Sequence, residues 1–287
     1  MASPFFFIKK KDGTLRPVQD YRCLNDLTVK NRYLLPLIQE LVDKLKKAWY
    51  FTKLDVHWGF NNVQIKEGDE WKAAFRMNRG LFEPLVMFFG LTNSPATFQT
   101  MMNGLFREEI NGGMVIIYMD DILIITETLE KHREMVQKVL EKLRENKLYL
   151  KHDKCIFEAE EVEYLGLLVS YGKVRMDPVK TEAIASLPVP KAKRDVQQFL
   201  GFVNFYRRFI KVFAGISKPL TELTGKAEWK WGSDQQEAFD QIRSITMTAP
   251  VLAIPNDEGR YRVEADASDF ATEEFFLSNK KMRNGNP

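Results

Sequence analysis

The sequence has little of what builds disulfide scaffolds, zinc modules or membrane spans. Its two cysteines, Cys23 and Cys155, lie far apart and match no metal-ligand spacing. The three histidines, His57, His132 and His152, are equally scattered, so a structural zinc site is not expected. No apolar run reaches 18 residues, and the N-terminus lacks a charged region followed by a long apolar stretch. Neither a membrane span nor a signal peptide is expected, and the setting reads as intracellular and reducing. There is no internal repeat and no low-complexity tract. Net charge is only +3, too small by itself to imply a nucleic-acid partner.

What is present is ordinary in bulk and unusual in detail. Hydrophobic residues make up 45% and charged residues 28%, as in globular chains, and 287 residues suffice for two or three small domains or one multi-lobed one. Charge is uneven: residues 1–50 hold ten Lys and Arg against five Asp and Glu. A solvated basic face is one reading of that excess and an anionic partner is another.

The unusual detail is MVIIYMDDILII, residues 114–125, where Asp120 and Asp121 interrupt an apolar run. An uncompensated buried carboxylate costs several kcal/mol or more, and a like-charged neighbour adds to the cost. The flanking runs, Met114 to Tyr118 and Ile122 to Ile125, read as two strands joined at Met119-Asp120-Asp121. A solvated hairpin tip would remove the cost, but this tip lacks the Gly or Asn that a two-residue turn prefers. A divalent cation held by hard carboxylate oxygens would remove it too, given one more acid from elsewhere.

Along the chain, SPFFFIKKKDGTLRPVQDYR reads as a hairpin with a basic tip near Asp12-Gly13. A helix is expected near Ile38 to Lys47, a mixed strand and turn over 51–65, and a helix over 94–109 with Pro95 at its first position. Leu129, Val136, Val139, Leu140 and Leu143 have helical spacing within 128–146. VEYLGLLVS, 162–170, reads as a strand pair. The proline-containing stretch 177–195 reads as a lobe boundary, followed by an aromatic-rich helix, DVQQFLGFVNFYRRFIKVF. Ser233 and Gln236 form a capping-box pattern for a helix through Ile245. The remaining acid of interest is Asp55 in FTKLDVHWGF. Beside Asp120 and Asp121 on adjacent strands it would complete a cluster able to hold two divalent ions roughly 3.5–4 Å apart.

These stretches resemble a known family. Tyr118-Met119-Asp120-Asp121 is similar to the YMDD box of reverse transcriptases. KKKDGTLRPVQDYRCLN, LDVHWGFNNVQI, FGLTNSPATFQ, KLYLKHDKCIF, VEYLGLLVS, FLGFVNFYRRFI and PVLAIP follow in that family's order. The whole resembles the polymerase of a gypsy-type LTR retrotransposon, with fungal-element character in EPLVMFFGLTNSPATFQ.

The resemblance implies an α+β right-hand polymerase fold of fingers, palm and thumb. Fingers are expected over 1–50 and 67–93, palm over 51–66 and 94–175, and thumb over 176–224. A connection over 225–258 and a truncated ribonuclease H start over 259–287 would follow. It implies RNA-directed DNA polymerase activity on a primer–template of RNA or DNA, with deoxynucleoside triphosphates and two Mg2+ ions, Mn2+ being an alternative. By resemblance Asp55, Asp120 and Asp121 are the metal ligands, and Lys154 protonates the leaving pyrophosphate. Lys10 and Arg16 hold the triphosphate. Phe60 excludes a ribose 2′-hydroxyl. Phe89 packs where retroviral enzymes commonly have Gln, and Gln99 lies in a helix behind the site. Tyr118, the Tyr164-Leu165-Gly166 primer grip, and Gln197, Gly201 and Phe205 on one helix face contact primer and template.

The pattern departs from the family in three places. Met1 begins inside the fingers pattern, His57 replaces a common Arg, and Glu273 and Glu274 stand at ordinarily apolar positions after Asp266. Asp266 matches the first ribonuclease H acid, but no ribonuclease H activity is expected. The chain is expected to come from a larger polyprotein. The competing reading is a remnant that binds nucleic acid without catalysis.

Overall fold

The computed structural model describes residues 2–9, 13–36, 41, 44–225, 228–248, 251–254, 261–268 and 271–278, the last two segments by backbone alone. Lys10 lies outside the described residues. So do five of the ten residues of the helix expected over 38–47, of which Leu41 is helical and 44–47 form a turn. The chain divides into two compact units, 1–162 and 163–287, so the division precedes the proline-containing stretch expected to mark it.

The first unit holds two four-stranded sheets. In one, β1 (Ser3–Lys9) pairs antiparallel with β2 (Leu15–Gln19), the hairpin read from the sequence. β1 also runs parallel to β4 (Phe75–Met77), which pairs with β5 (Gly80–Phe82). Phe5, Phe75 and Phe82 stack in a row across this sheet, with centroids 5.4 and 5.8 Å apart. Helix α1 (Arg22–Leu27) follows β2.

The other sheet has the order β6-β7-β3-β8: Val115–Tyr118, Asp121–Thr126, Tyr50–Asp55 and Ile156–Ala159. Val115, Ile116, Ile117 and Ile122 to Ile125 are all buried, which is why β6 and β7 read as continuous rather than alternating apolar runs. Val115, Ile117, Ile122 and Ile124 share one core with Phe98 and Met102 of α2 (Ser94–Leu105) and Met135, Val139 and Leu143 of α4 (Leu129–Glu145). The single helix expected over 94–109 breaks at Phe106 into α2 and α3 (Arg107–Asn111), with Phe106 fully buried at the break.

One buried polar chain ties α4 to this sheet. His132 is fully buried. Thr126 donates its hydroxyl to the Thr128 carbonyl at 3.0 Å, so it accepts the His132 Nδ1 proton at 2.9 Å. Thr52 accepts the Glu158 N–H at 3.1 Å and donates to His132 Nε2 at 2.7 Å. These partners fix a neutral imidazole, and burial pushes its pKa below the ordinary 6.5.

The second unit contains a sheet of order β12-β11-β10-β9. Its strands are β9 (Glu161–Tyr164), β10 (Leu167–Ser170), β11 (Lys173–Met176) and β12 (Leu252–Ala253). Helices α5 (Pro178–Ala185), α6 (Lys193–Asn204), α7 (Phe213–Thr224) and α8 (Ser233–Met247) accompany it. The aromatic-rich helix is therefore shorter than expected: it ends at Asn204, a short 3-10 turn covers Arg207–Phe209, and α7 starts afresh. The cap of α8 is also shifted by one residue. Gly232 is the N-cap, and its N–H donates to Gln235 at 3.0 Å, so Ser233 and Gln236 are not the capping pair. β13 (Tyr261–Ser268) and β14 (Ala271–Ser278) form a hairpin.

Candidate active site

The apolar run carries its acids at a strained turn. Tyr118 and Asp121 face each other across β6 and β7, leaving Met119 and Asp120 as the two turn residues. Met119 has φ +59° and Asp120 does not have a positive φ, the sign pattern of a type II′ turn. Glycine is the usual residue there, and a side chain in the left-handed region costs about 1–2 kcal/mol. The strain is held by Gln99 of α2, which is fully buried. Its Oε1 accepts the Met119 N–H at 2.7 Å, while its Nε2 donates to the Ile117 carbonyl at 3.1 Å and to Asn103 at 2.9 Å. A side chain bonded to the turn and to the strand that enters it restricts what the turn residues can do. The sequence placed Gln99 behind the site but gave no sign of this bond, which spans 20 residues.

Two of the three acids face each other, and the third is tied to the same strand end through the backbone. Asp55 and Asp121 are directly opposite on β3 and β7, and the Asp120 carbonyl accepts the Val56 N–H at 2.8 Å. Gly59 packs against the same place: a Cβ there would lie 3.3 Å from the Asp120 Cβ and 3.4 Å from the Phe98 ring. Asp55 is nearly buried, and Asp120 and Asp121 are half-buried.

The Asp55 carboxylate meets two lysines. Lys154 stands 3.5 Å from one oxygen, but Lys151 is nearer, 2.6 Å from the other, and its own N–H donates to the Asp55 carbonyl at 2.9 Å. Lys151 was missed by the sequence reading, since nothing in KLYLKHDK separates it from a solvated lysine. Among the described residues no three His, Cys, Asp or Glu side chains already surround a common point. The donor set nevertheless suits hard divalent cations: carboxylates at the facing ends of β3 and β7 and on the adjoining turn, with two ammonium groups against Asp55.

An aromatic row adjoins the acids. Phe60 is buried edge-on to Phe98 at 5.8 Å and to Phe89 at 5.0 Å. The Arg16 guanidinium lies 5.5 Å from the centre of the Phe89 ring, a cation–π distance. Arg16, Phe89 and Phe60, separated by up to 73 residues in the sequence, thus form one surface.

The second unit holds the other expected primer and template residues except Tyr118, which ends β6 and is half-buried. Tyr164 is buried, so its ring supports β9 and does not face outward. Leu165 and Gly166 both have positive φ, +52° and +80°, the sign pattern of a type I′ turn. The Gly166 N–H donates to Glu163 Oε1 at 2.9 Å, and the Tyr206 hydroxyl donates to the Gly166 carbonyl at 3.1 Å. Burial, with the charges of Asp177 and Glu163, pushes the Tyr206 phenol up to about 12, so it remains a donor near neutral pH. Gln197, Gly201 and Phe205 share an exposed face, and a Cβ added at Gly201 would meet nothing within 4 Å. Asp266 faces Glu273 across the β13–β14 hairpin.

The whole arrangement has close counterparts. Residues 8–169 match the family model described as reverse transcriptase (RNA-dependent DNA polymerase). Residues 231–285 match the RNase H-like domain found in reverse transcriptase, a match that begins inside the segment expected as connection. The chain is 35% identical to a retrovirus-related Pol polyprotein from transposon 297 of Drosophila melanogaster, over 99% of this chain and 27% of that protein. It is 36% identical to the transposon Tf2-3 polyprotein of Schizosaccharomyces pombe, over 94% of this chain and 20% of that protein. The chain thus spans between a fifth and just over a quarter of the length of these relatives. Among solved structures, a foamy viral protease-reverse transcriptase in complex with double-stranded DNA superimposes with TM-score 0.87 at 26% identity, covering 97% of this chain and 49% of that one. A second such complex gives 0.86 at 25% identity, covering 100% and 59%. The α+β right-hand polymerase fold is the fold of this chain. No helix among the described residues is long and apolar enough to cross a membrane. With family model, relatives and fold in agreement, the chain belongs to the reverse transcriptase (RNA-dependent DNA polymerase) family.

Proposed function

We propose that this chain is an RNA-directed DNA polymerase that adds deoxynucleotides to a primer 3′ end on an RNA or DNA template. The observation that carries the reading is Asp55 directly opposite Asp121, with Asp120 on the adjoining turn, next to the Arg16–Phe89–Phe60 row. Asp55, Asp120 and Asp121 would hold two Mg2+ ions, with Mn2+ as a substitute. When bound, such ions lower the pKa of an attacking hydroxyl and neutralise phosphate charge.

The chain's own residues supply the rest. Arg16, with Lys10, receives the triphosphate, a guanidinium being suited to bidentate phosphate contact. Phe60 and Phe89 pack against sugar and base, and Phe60 leaves no room for a 2′-hydroxyl. Lys154 stands 3.5 Å from the Asp55 carboxylate and is placed to give a proton to the departing pyrophosphate. Tyr118, Leu165, Gly166, Gln197, Gly201 and Phe205 contact primer and template, with Tyr164 as support. Contacts to nucleic-acid backbone make binding salt-dependent and independent of sequence. Since both relatives are polyproteins, the chain is read as one segment of such a product.

The test is primer extension on poly(rA) with oligo(dT), dTTP and Mg2+, beside the Asp120→Asn variant. The parent should extend, and the variant should lose about 10³-fold or more of the rate while still shifting primer–template in a gel. Binding without extension by the parent would replace the polymerase with a nucleic-acid-binding remnant.

A further inference from the structure

Two segments assigned separately to primer and template, Leu165–Gly166 and the face ending in Phe205, prove to be neighbours in the second unit. A Cβ built on Gly166 would lie 3.2 Å from the Tyr206 hydroxyl and 3.7 Å from the Phe205 ring. The Phe205 and Tyr206 rings meet edge to face at 4.8 Å. Tyr206 is 2% exposed and cannot itself touch nucleic acid, whereas Phe205 is 37% exposed. The buried tyrosine and the exposed phenylalanine are consecutive, at the point where α6 ends.

We propose that Tyr206 is a positioning residue, whose hydroxyl clamps the Leu165–Gly166 turn to the end of α6 so that the primer-gripping turn and the helix face bearing Phe205 move as one body. The need for a clamp comes from the turn itself. Leu165 holds φ +52°, a conformation that a leucine leaves unless something fixes it. Two side-chain bonds reach the turn at Gly166. One is local, from the Gly166 N–H to Glu163. The other reaches from Tyr206, 40 residues away. The Tyr206 bond is the one that connects the turn to the helix. Its close approach would crowd a Cβ at Gly166, 3.2 Å from the hydroxyl, so contact adds to the preference for glycine that the positive φ sets.

The proposal rests on the polymerase reading, and the test separates the two. Tyr206→Phe removes only the hydroxyl and preserves the ring packing. Glu163→Ala removes the other bond and serves as an independent variant should Tyr206→Phe fold poorly. Hydrogen exchange of the 163–170 segment should quicken about fivefold in Tyr206→Phe, the equivalent of one ordinary hydrogen bond. Dissociation of oligo(dT)·poly(rA) should quicken by a similar factor, with shorter products per binding event, while the KM for dTTP stays at the parent's value. Glu163→Ala should move the same two quantities and leave KM alone.

Unchanged exchange in Tyr206→Phe would overturn the clamp. Faster exchange with unchanged primer dissociation would overturn its role in holding primer. A rise in dTTP KM matching the fall in processivity would mean a general loss of structure and would also overturn it. Failure of the parent to extend any primer would remove the polymerase reading and the primer role with it, and the exchange result would still decide whether the clamp exists.

Discussion

The two turns that carry the proposed chemistry and the proposed primer contact solve one problem in different ways. Both place a large apolar residue, Met119 or Leu165, at a positive φ that glycine or asparagine would adopt at lower cost. The Met119–Asp120 turn is held by an amide buried in the core: Gln99 accepts from the turn and donates to the strand before it. The Leu165–Gly166 turn is held by a carboxylate on its own strand and a phenol from a helix end. The first arrangement is embedded in a sheet covered on both faces and tolerates little movement. The second joins a turn to the end of a helix, and it is suited to letting both shift together. In each case local strain persists because a distant polar group over-determines the backbone.

The comparison can be broken most sharply at Gln99. Gln99→Leu leaves the Met119 N–H and the Ile117 carbonyl without their partner, at a cost of about 2–4 kcal/mol. Denaturant unfolding should show that loss, and dTTP incorporation should fall at least tenfold even where the variant remains folded. An equal loss of stability with a normal rate per folded molecule would mean that Gln99 supports the core without setting the turn.

A smaller effect should separate the two regions by pH. The neutral His132 links Thr52 of β3 and Thr126 of β7, the strands that bear Asp55 and Asp121. Its pKa in the fold lies below the ordinary 6.5, so the unfolded chain takes up a proton first. The stability it contributes is complete above that value and declines as pH falls from 6.5 towards the lowered one, by no more than about 1.4 kcal/mol per pH unit. Exchange protection of β3 and β7 should therefore drop as pH falls below 6.5, and His132→Gln should flatten that slope. The Tyr206 clamp, with its phenol at about 12, should contribute no slope in that range.

The smallest effect should come from relieving strain. Leu165→Asn puts a residue suited to the left-handed region at the first turn position and should raise stability by about 1 kcal/mol. Loss of the Leu165 side chain should at the same time weaken primer binding. A stabilised variant with unchanged primer affinity would show that the turn acts through its backbone alone.

The fraction of this molecule readable from its residues follows a physical divide. Helix α4 was legible because Leu129, Val136, Val139, Leu140 and Leu143 recur at helical spacing, and Val139 and Leu143 are buried. The break at Phe106 was not, because an aromatic at that spacing continues the apolar face equally well, and only its fit into the core ends the helix. The cap of α8 was misread by one residue because Ser233 is the better capping residue in isolation, whereas the backbone enters the helix at Gly232. The Asp-Asp tip was recognisable as costly, but the missing turn glycine counted against a two-residue turn that exists.

By itself the sequence determined the basic hairpin at the start, the strand pair around Asp120-Asp121, helix α4 and the family. Those depend on local periodicity and on motifs that chemistry keeps short. The tertiary structure decided which groups answer those motifs: Gln99 for Met119, Lys151 for Asp55, Tyr206 for Gly166. These pairings join residues 20 to 96 positions apart. A hydrogen bond or ion pair acts over about 3 Å, so it leaves no periodic trace along a chain and becomes visible only when packing brings its two ends together.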